Sequence, residues 1–174
     1  MKGVIHLALA MIASFAPLPS TARATSFSMT TETADSLGFI DIDSVKADGP
    51  LVIALTYEVV KLDQPLDVKF RSSPNNFTYA VMARRIIFDC PSERYSIDRI
   101  FFYSGHGDLV GSFDGVGVSN AAVPPETGLS EQFRYACKGV PLSNKIDRFP
   151  DGETPLQTLI RASRATMSDP RWKP

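Results

Sequence analysis

The segment Leu37-Gly38-Phe39-Ile40-Asp41-Ile42-Asp43 sets apolar against acidic residues with a period of two, the rhythm of a strand that buries one face. A turn signal, Ala47-Asp48-Gly49-Pro50, separates it from the β-branched run Leu51–Val60, and the two predict an antiparallel hairpin. A long connection with proline and asparagines, Gln64–Asn76, leads to further strand-like runs at Phe77–Phe88, Ser96–Tyr103 and Leu109–Phe113. Between the last two, Gly105-His106-Gly107-Asp108 supplies glycines for a reversal at positive φ, which predicts a second hairpin. Five strands with no helical period between them argue for an antiparallel sheet rather than βαβ units.

The period changes after Gly115–Pro125, a loop of small residues, glycines and prolines. Ser130 as N-cap and Gly139 as stop predict a helix over Ser130–Lys138. Its stripe of Leu129, Phe133 and Cys137 would face the sheet. A second helix is predicted over 154–167, where Thr154-Pro155-Leu156-Gln157 combines an N-cap, a proline at the first position and a capping-box glutamine. Leu156, Leu159, Ile160 and Met167 form its apolar stripe, interrupted by Ser163. So short a helix needs a surface to pack on: the domain itself, a second copy, or a partner.

The first 24 residues have the form of an export signal: Lys2, then the apolar stretch Val4–Ala16, then the small-residue site Ala22-Arg23-Ala24. That stretch is too short to cross a bilayer, which takes about 20 apolar residues, and no later segment predicts a transmembrane helix. Residues 25–36, rich in Ser and Thr, read as a flexible mature N-terminus. The remainder divides into a sheet-and-helix domain over 37–139 and a C-terminal extension over 140–174. Export makes the two cysteines informative. Cys90 and Cys137 are expected to form a disulfide between a strand and the first helix, the alternative being two buried, unpaired thiols.

The chain has 18 basic and 19 acidic residues, and loss of Lys2 and Arg23 leaves 16 and 19, a net charge of −3. With no basic stripe, nucleic acid and anionic membrane surfaces are poor partners. His106 is the only histidine beyond the signal. Ser104, His106 and Asp108 have the residue types of a catalytic triad, but alternate positions around one tight turn are badly placed to share a hydrogen-bonded line. Asp41, Asp43 and Asp48 lack the tight multi-oxygen loop of a calcium site, and structural zinc lacks ligands. No catalytic residue, metal or cofactor is therefore assigned.

What remains is a surface. Strict alternation places Tyr95, Ile97, Arg99, Phe101 and Tyr103 on one face of their strand and Ile100 and Phe102 on the other, so both faces carry apolar groups. Either the C-terminal helix covers the second face or it forms a ligand groove. Arg84 and Arg85 point to opposite faces, and at least one is expected to pair with an internal carboxylate or to line that groove. Arg84, Arg85, Arg99, Phe101 and Tyr103 are thus the candidate groove residues.

Across Leu37–Lys138 the chain resembles the surface-adhesin E family of bacterial exported proteins. The likeness rests on Gly38-Phe39-Ile40-Asp41, Phe88-Asp89-Cys90, Phe101-Phe102-Tyr103 with its glycine-rich turn, and Phe133-Arg134-Tyr135-Ala136-Cys137. It implies an α+β fold: a curved antiparallel half-barrel sheet of five to six strands, with Pro65–Ser72 a candidate for the sixth, and a helix tied to it by the disulfide. It also implies a non-catalytic, adhesin-like module in the periplasm or at the cell surface, binding a host extracellular-matrix protein, an envelope protein or a small apolar ligand. The C-terminal extension departs from the family pattern. Through it the chain could instead self-associate as a homo-oligomeric envelope component.

Overall fold

A computed structural model describes residues 26–66, 77–115 and 118–172. The export signal lies outside the described residues, as do 67–72 of the candidate sixth strand and most of the 64–76 loop. The elements are β1 (Phe27–Glu32), β2 (Ser36–Asp41), a 3-10 turn (Ile42–Ser44), β3 (Lys46–Asp48), β4 (Leu51–Pro65), β5 (Thr78–Asp89), β6 (Arg94–Tyr103), β7 (Leu109–Asp114), β8 (Ala121–Ala122), α1 (Gly128–Lys138), β9 (Lys145–Ile146) and α2 (Pro155–Ser168). They form an α+β fold with one open antiparallel sheet in the order β7-β6-β5-β4-β2-β1-β9; β3 pairs with β4, and β8 with β6.

Both predicted hairpins are present, β2 against β4 and β6 against β7. The sheet has nine strands rather than five or six. Three of the additions are only two or three residues long. The fourth is β1, which occupies the segment read as a flexible N-terminus. Phe27 and Ser28 are buried there, and the strand pairs with β2 on one side and β9 on the other. Burial of Phe27, packed edge-on against Tyr57 and Phe149, holds this serine- and threonine-rich strand in place.

The pleat sorts the core into two halves on opposite faces. One face carries Val52, Ala54, Ile86 and Phe88, covered by Phe133 of α1. The ring centroids of Phe88 and Phe133 are 5.7 Å apart, and the Cys90–Cys137 disulfide fixes the helix beside them with a Cα separation of 5.4 Å. The other face carries Phe27, Leu37, Phe39, Val59 and Val81, covered by Leu159, Ile160 and Met167 of α2. Each helix covers one end of its own face, and the covered ends are diagonal to each other. The C-terminal extension therefore completes the second half of the core. Its apolar stripe packs on its own sheet.

The capping of α2 follows the sequence, with Thr154 and Gln157 bonded reciprocally. That of α1 does not: Thr127 is the N-cap and Ser130 stands three residues inside, each side chain serving the other's backbone N–H. Moving the cap out by one turn lets Gly128 lie against β1. Gly139 at φ 65° closes the helix, a conformation that favours glycine.

Candidate functional site

Two stretches of sheet are left partly open, one on each face. Their residues are set by strand parity, and parity is interrupted in β6. Ile97 and Arg99 pair with the adjacent residues Ile86 and Arg85, so Asp98 is the extra residue of a β-bulge. Below it Tyr95 and Ile97 join the α1 side, packing near Phe88 and Phe133. Above it Arg99, Phe101 and Tyr103 turn to the α2 side, opposite Arg85, Ala83 and Val81. The single face expected from strict alternation is thus divided between the two sides of the sheet.

On the α2 side this brings Arg85, Arg99, Phe101 and Tyr103 together, and Ile53 and Leu55 of β4 extend the floor. Of the four, Arg85, Phe101 and Tyr103 line an apolar trough of about 370 Å³ that reaches the 3-10 turn at Asp43 and Ser44 and Lys46 of β3; Arg99 shares the face but does not line it. Arg85 donates from Nε to both oxygens of Asp98, at 2.8 and 3.0 Å. Arg99 pairs with Asp114 and lies over the Phe101 ring, its Cζ 5.8 Å from the centroid. Lys46 makes no ion pair with a described residue. Burial pushes the hydroxyls of Tyr57 and Tyr103 above their usual range, so both stay protonated donors at neutral pH. Tyr103 and Tyr57 also pack against the α2 half of the core, so they mark the side of the trough nearest that helix, while no residue of α2 lines it.

Arg84 projects from the other face. Its Nη2 donates to Glu58 at 2.6 Å across the β4–β5 pair. Both neighbouring arginines thus have carboxylate partners, and Arg84 is separated by the sheet from the other four candidates. Around Arg84 and Glu58, a cleft of about 430 Å³ runs under α1. Thr56 and Gln132 line it, and sequence reasoning passed over both. Glu58 was visible as a lone carboxylate inside the apolar run Leu51–Val60.

The hairpin turn has a structural use for its triad-like residues. The Ser104 hydroxyl oxygen accepts the backbone N–H groups of His106 and Asp108, both at 3.2 Å, and the His106 carbonyl accepts Gln157 Nε2 at 3.0 Å from α2. Asp41 and Asp43 are also engaged. Asp41 caps the 3-10 turn by accepting the N–H groups of Asp43 and Ser44 at 3.0 and 3.2 Å, and Asp43 accepts that of Ser26 at 2.8 Å. Burial raises the Asp41 carboxyl above its ordinary range.

No protein-family model matches this chain, nor does any curated protein or solved structure.

Proposed function

We propose that the chain is an exported, non-catalytic binding module of the surface-adhesin E type, a half-barrel scaffold that engages an apolar segment of an extracellular-matrix or envelope protein at the trough around Phe101. The observation carrying this reading is the trough itself: Ile53, Leu55 and Phe101 are partly exposed and line one hollow together with Arg85 and Tyr103. A small-molecule site buries roughly 70–90% of its ligand. A trough that neither α1 nor α2 lines suits a protein side chain better, with the rest of the partner supplying the cover. Lys46 offers that partner's carboxylate an unspent cation at the rim. The disulfide, and the absence among the described residues of any helix long and apolar enough to cross a membrane, accord with an exported chain.

The test is a binding screen of the full chain, recovered from an oxidising compartment, against purified matrix proteins and an envelope-protein extract. Binding that is lost in Phe101→Asp and kept in Arg84→Met supports the trough. Failure of the folded protein to bind any of them, or binding indifferent to Phe101→Asp, removes the reading.

A further inference from the structure

The cleft beneath α1 has a different chemistry from the trough. One wall is apolar, formed by Ile86, Ile97, Leu129 and Tyr95, while the opposite wall and floor are hydroxylic and charged. Much of the hydrogen-bonding capacity there is unspent. Thr56, only 2% exposed, makes no side-chain hydrogen bond to a described residue. Gln132, 7% exposed, gives its amide N–H to Thr30 Oγ1 at 2.9 Å and leaves its carbonyl oxygen unpaired among the described residues. Among the described residues Arg84 bonds only through Nη2, to Glu58 and at 3.7 Å to Met82 Sδ, so Nε and Nη1 have no partner there.

These groups face the cleft and are not sealed from solvent, Ser163 Oγ and Arg164 Nε being the fully buried unpaired side-chain polar atoms among the described residues, so a ligand entering the cleft must replace their water with matched hydrogen bonds. The one ion pair at the floor, Arg84 with Glu58, has no net charge, which favours a neutral ligand over an anion or a cation. A ligand with hydroxyls on its edges, able both to donate and to accept, and an apolar C–H face to lay on Tyr95 and Leu129 fits both walls. The volume of about 430 Å³ lies within the usual range of small-ligand sites, roughly 300–1,000 Å³.

We propose that this cleft binds a neutral saccharide, with Arg84, Glu58, Thr56 and Gln132 hydrogen-bonding its hydroxyls and Tyr95 and Leu129 packing on its apolar face. The site lies on the opposite side of the sheet from the trough and stands or falls separately from it.

The experiment applies the full chain to an array of neutral and charged glycans, followed by saturation-transfer NMR with the free form of the best-bound neutral sugar. At least one neutral glycan is expected to bind. Thr56→Val should weaken that binding roughly five- to tenfold, the size of one lost hydrogen bond. Its melting temperature should not fall, because the hydroxyl it removes is unpartnered. The paired change Glu58→Gln with Arg84→Met avoids a stranded charge and should weaken binding at least as much, while Phe101→Asp leaves it unchanged. Retention of no neutral glycan, retention of charged glycans alone, or binding that survives both the Thr56 and the paired variants would each overturn the proposal.

Discussion

Asp98, the extra residue of the bulge in β6, turns its carboxylate onto the guanidinium of Arg85 in the neighbouring strand, 2.8 Å from Nε. The pair sits where Phe101 and Tyr103 change faces, so one irregularity decides which side chains the trough contains. The hydrogen bond from Arg85 holds the Asp98 carboxyl below its ordinary range. A depressed pKa in the folded state adds stability that is complete above the unfolded value, about 3.9, and is lost as pH falls through the folded one. Since the Arg85 side chain is 42% exposed, solvent screening limits the pair to about 1 kcal/mol or less. Asp98→Asn should therefore be less stable than the parent by up to that amount at pH 7. The two denaturation midpoints should converge as the pH falls below the ordinary carboxylate range and the carboxyl becomes protonated in the parent as well. A gap that persists unchanged in acid would show that the bulge, and not the charge, needs Asp98.

The approach of α1 to β1 yields a sharper expectation. A Cβ added at Gly128 would fall 1.3 Å from Thr31 Oγ1 and 2.7 Å from Thr31 Cβ. No rotamer of Thr31 moves its Cβ, so Gly128→Ala must push the helix off the strand, at about 1–3 kcal/mol. Combining it with Thr31→Ala removes the hydroxyl but not the Cβ, so only part of the loss should return. A double-mutant cycle of urea midpoints measures the coupling. Full additivity would mean that the helix start relaxes freely.

The runs of strand and the two helices were legible because burial imposes its period on composition. The apolar stripes of both helices, the caps of α2 and the partners of the two hairpins all follow from residue spacing. Parity was not legible. A bulge adds one residue without changing the residue types, so Asp98 reads as an ordinary polar position and Arg99, Phe101 and Tyr103 are assigned to the face of Tyr95. Thr30 does the same in β1, standing between the paired residues Met29 and Thr31. β1 itself was overlooked because serine and threonine dominate it, although Phe27 and Met29 alternate as strand residues should. The saccharide-type cleft was invisible for another reason. Its polar groups come from β4, β5 and α1, and only the fold brings Gln132 to Thr56.

The disulfide joins residues 47 apart in sequence. Closing a loop of that length in the unfolded chain contributes about 4 kcal/mol on the chain-entropy estimate. The Cys90→Ala, Cys137→Ala double variant should fold, because the aromatic contact of Phe88 with Phe133 and the α2 half of the core remain. Its stability should fall by about 2–4 kcal/mol, read as a lower guanidinium midpoint. A variant that stays unfolded at 25 °C without denaturant would place far more of the fold under control of the bridge than the buried core implies.

Ser163 stands in the apolar stripe of α2, between Leu159 and Met167, 2% exposed and with no hydrogen-bond partner for its hydroxyl among the described residues. Replacing such a serine by alanine removes a desolvated polar atom and improves helix propensity. The two effects together should stabilise by about 1 kcal/mol. The only tryptophan, Trp172, gives a local readout, since it packs against this half of the core and donates its indole N–H to Glu32 of β1. Unfolding followed by Trp172 fluorescence and by far-UV circular dichroism should coincide in the parent, because α2 and the sheet share one core. Both transitions should move up together in Ser163→Ala at constant m-value. An early fluorescence transition would mean that the C-terminal extension detaches before the sheet unfolds. A lower midpoint for the variant would mean that the serine hydroxyl has a partner worth more than its desolvation.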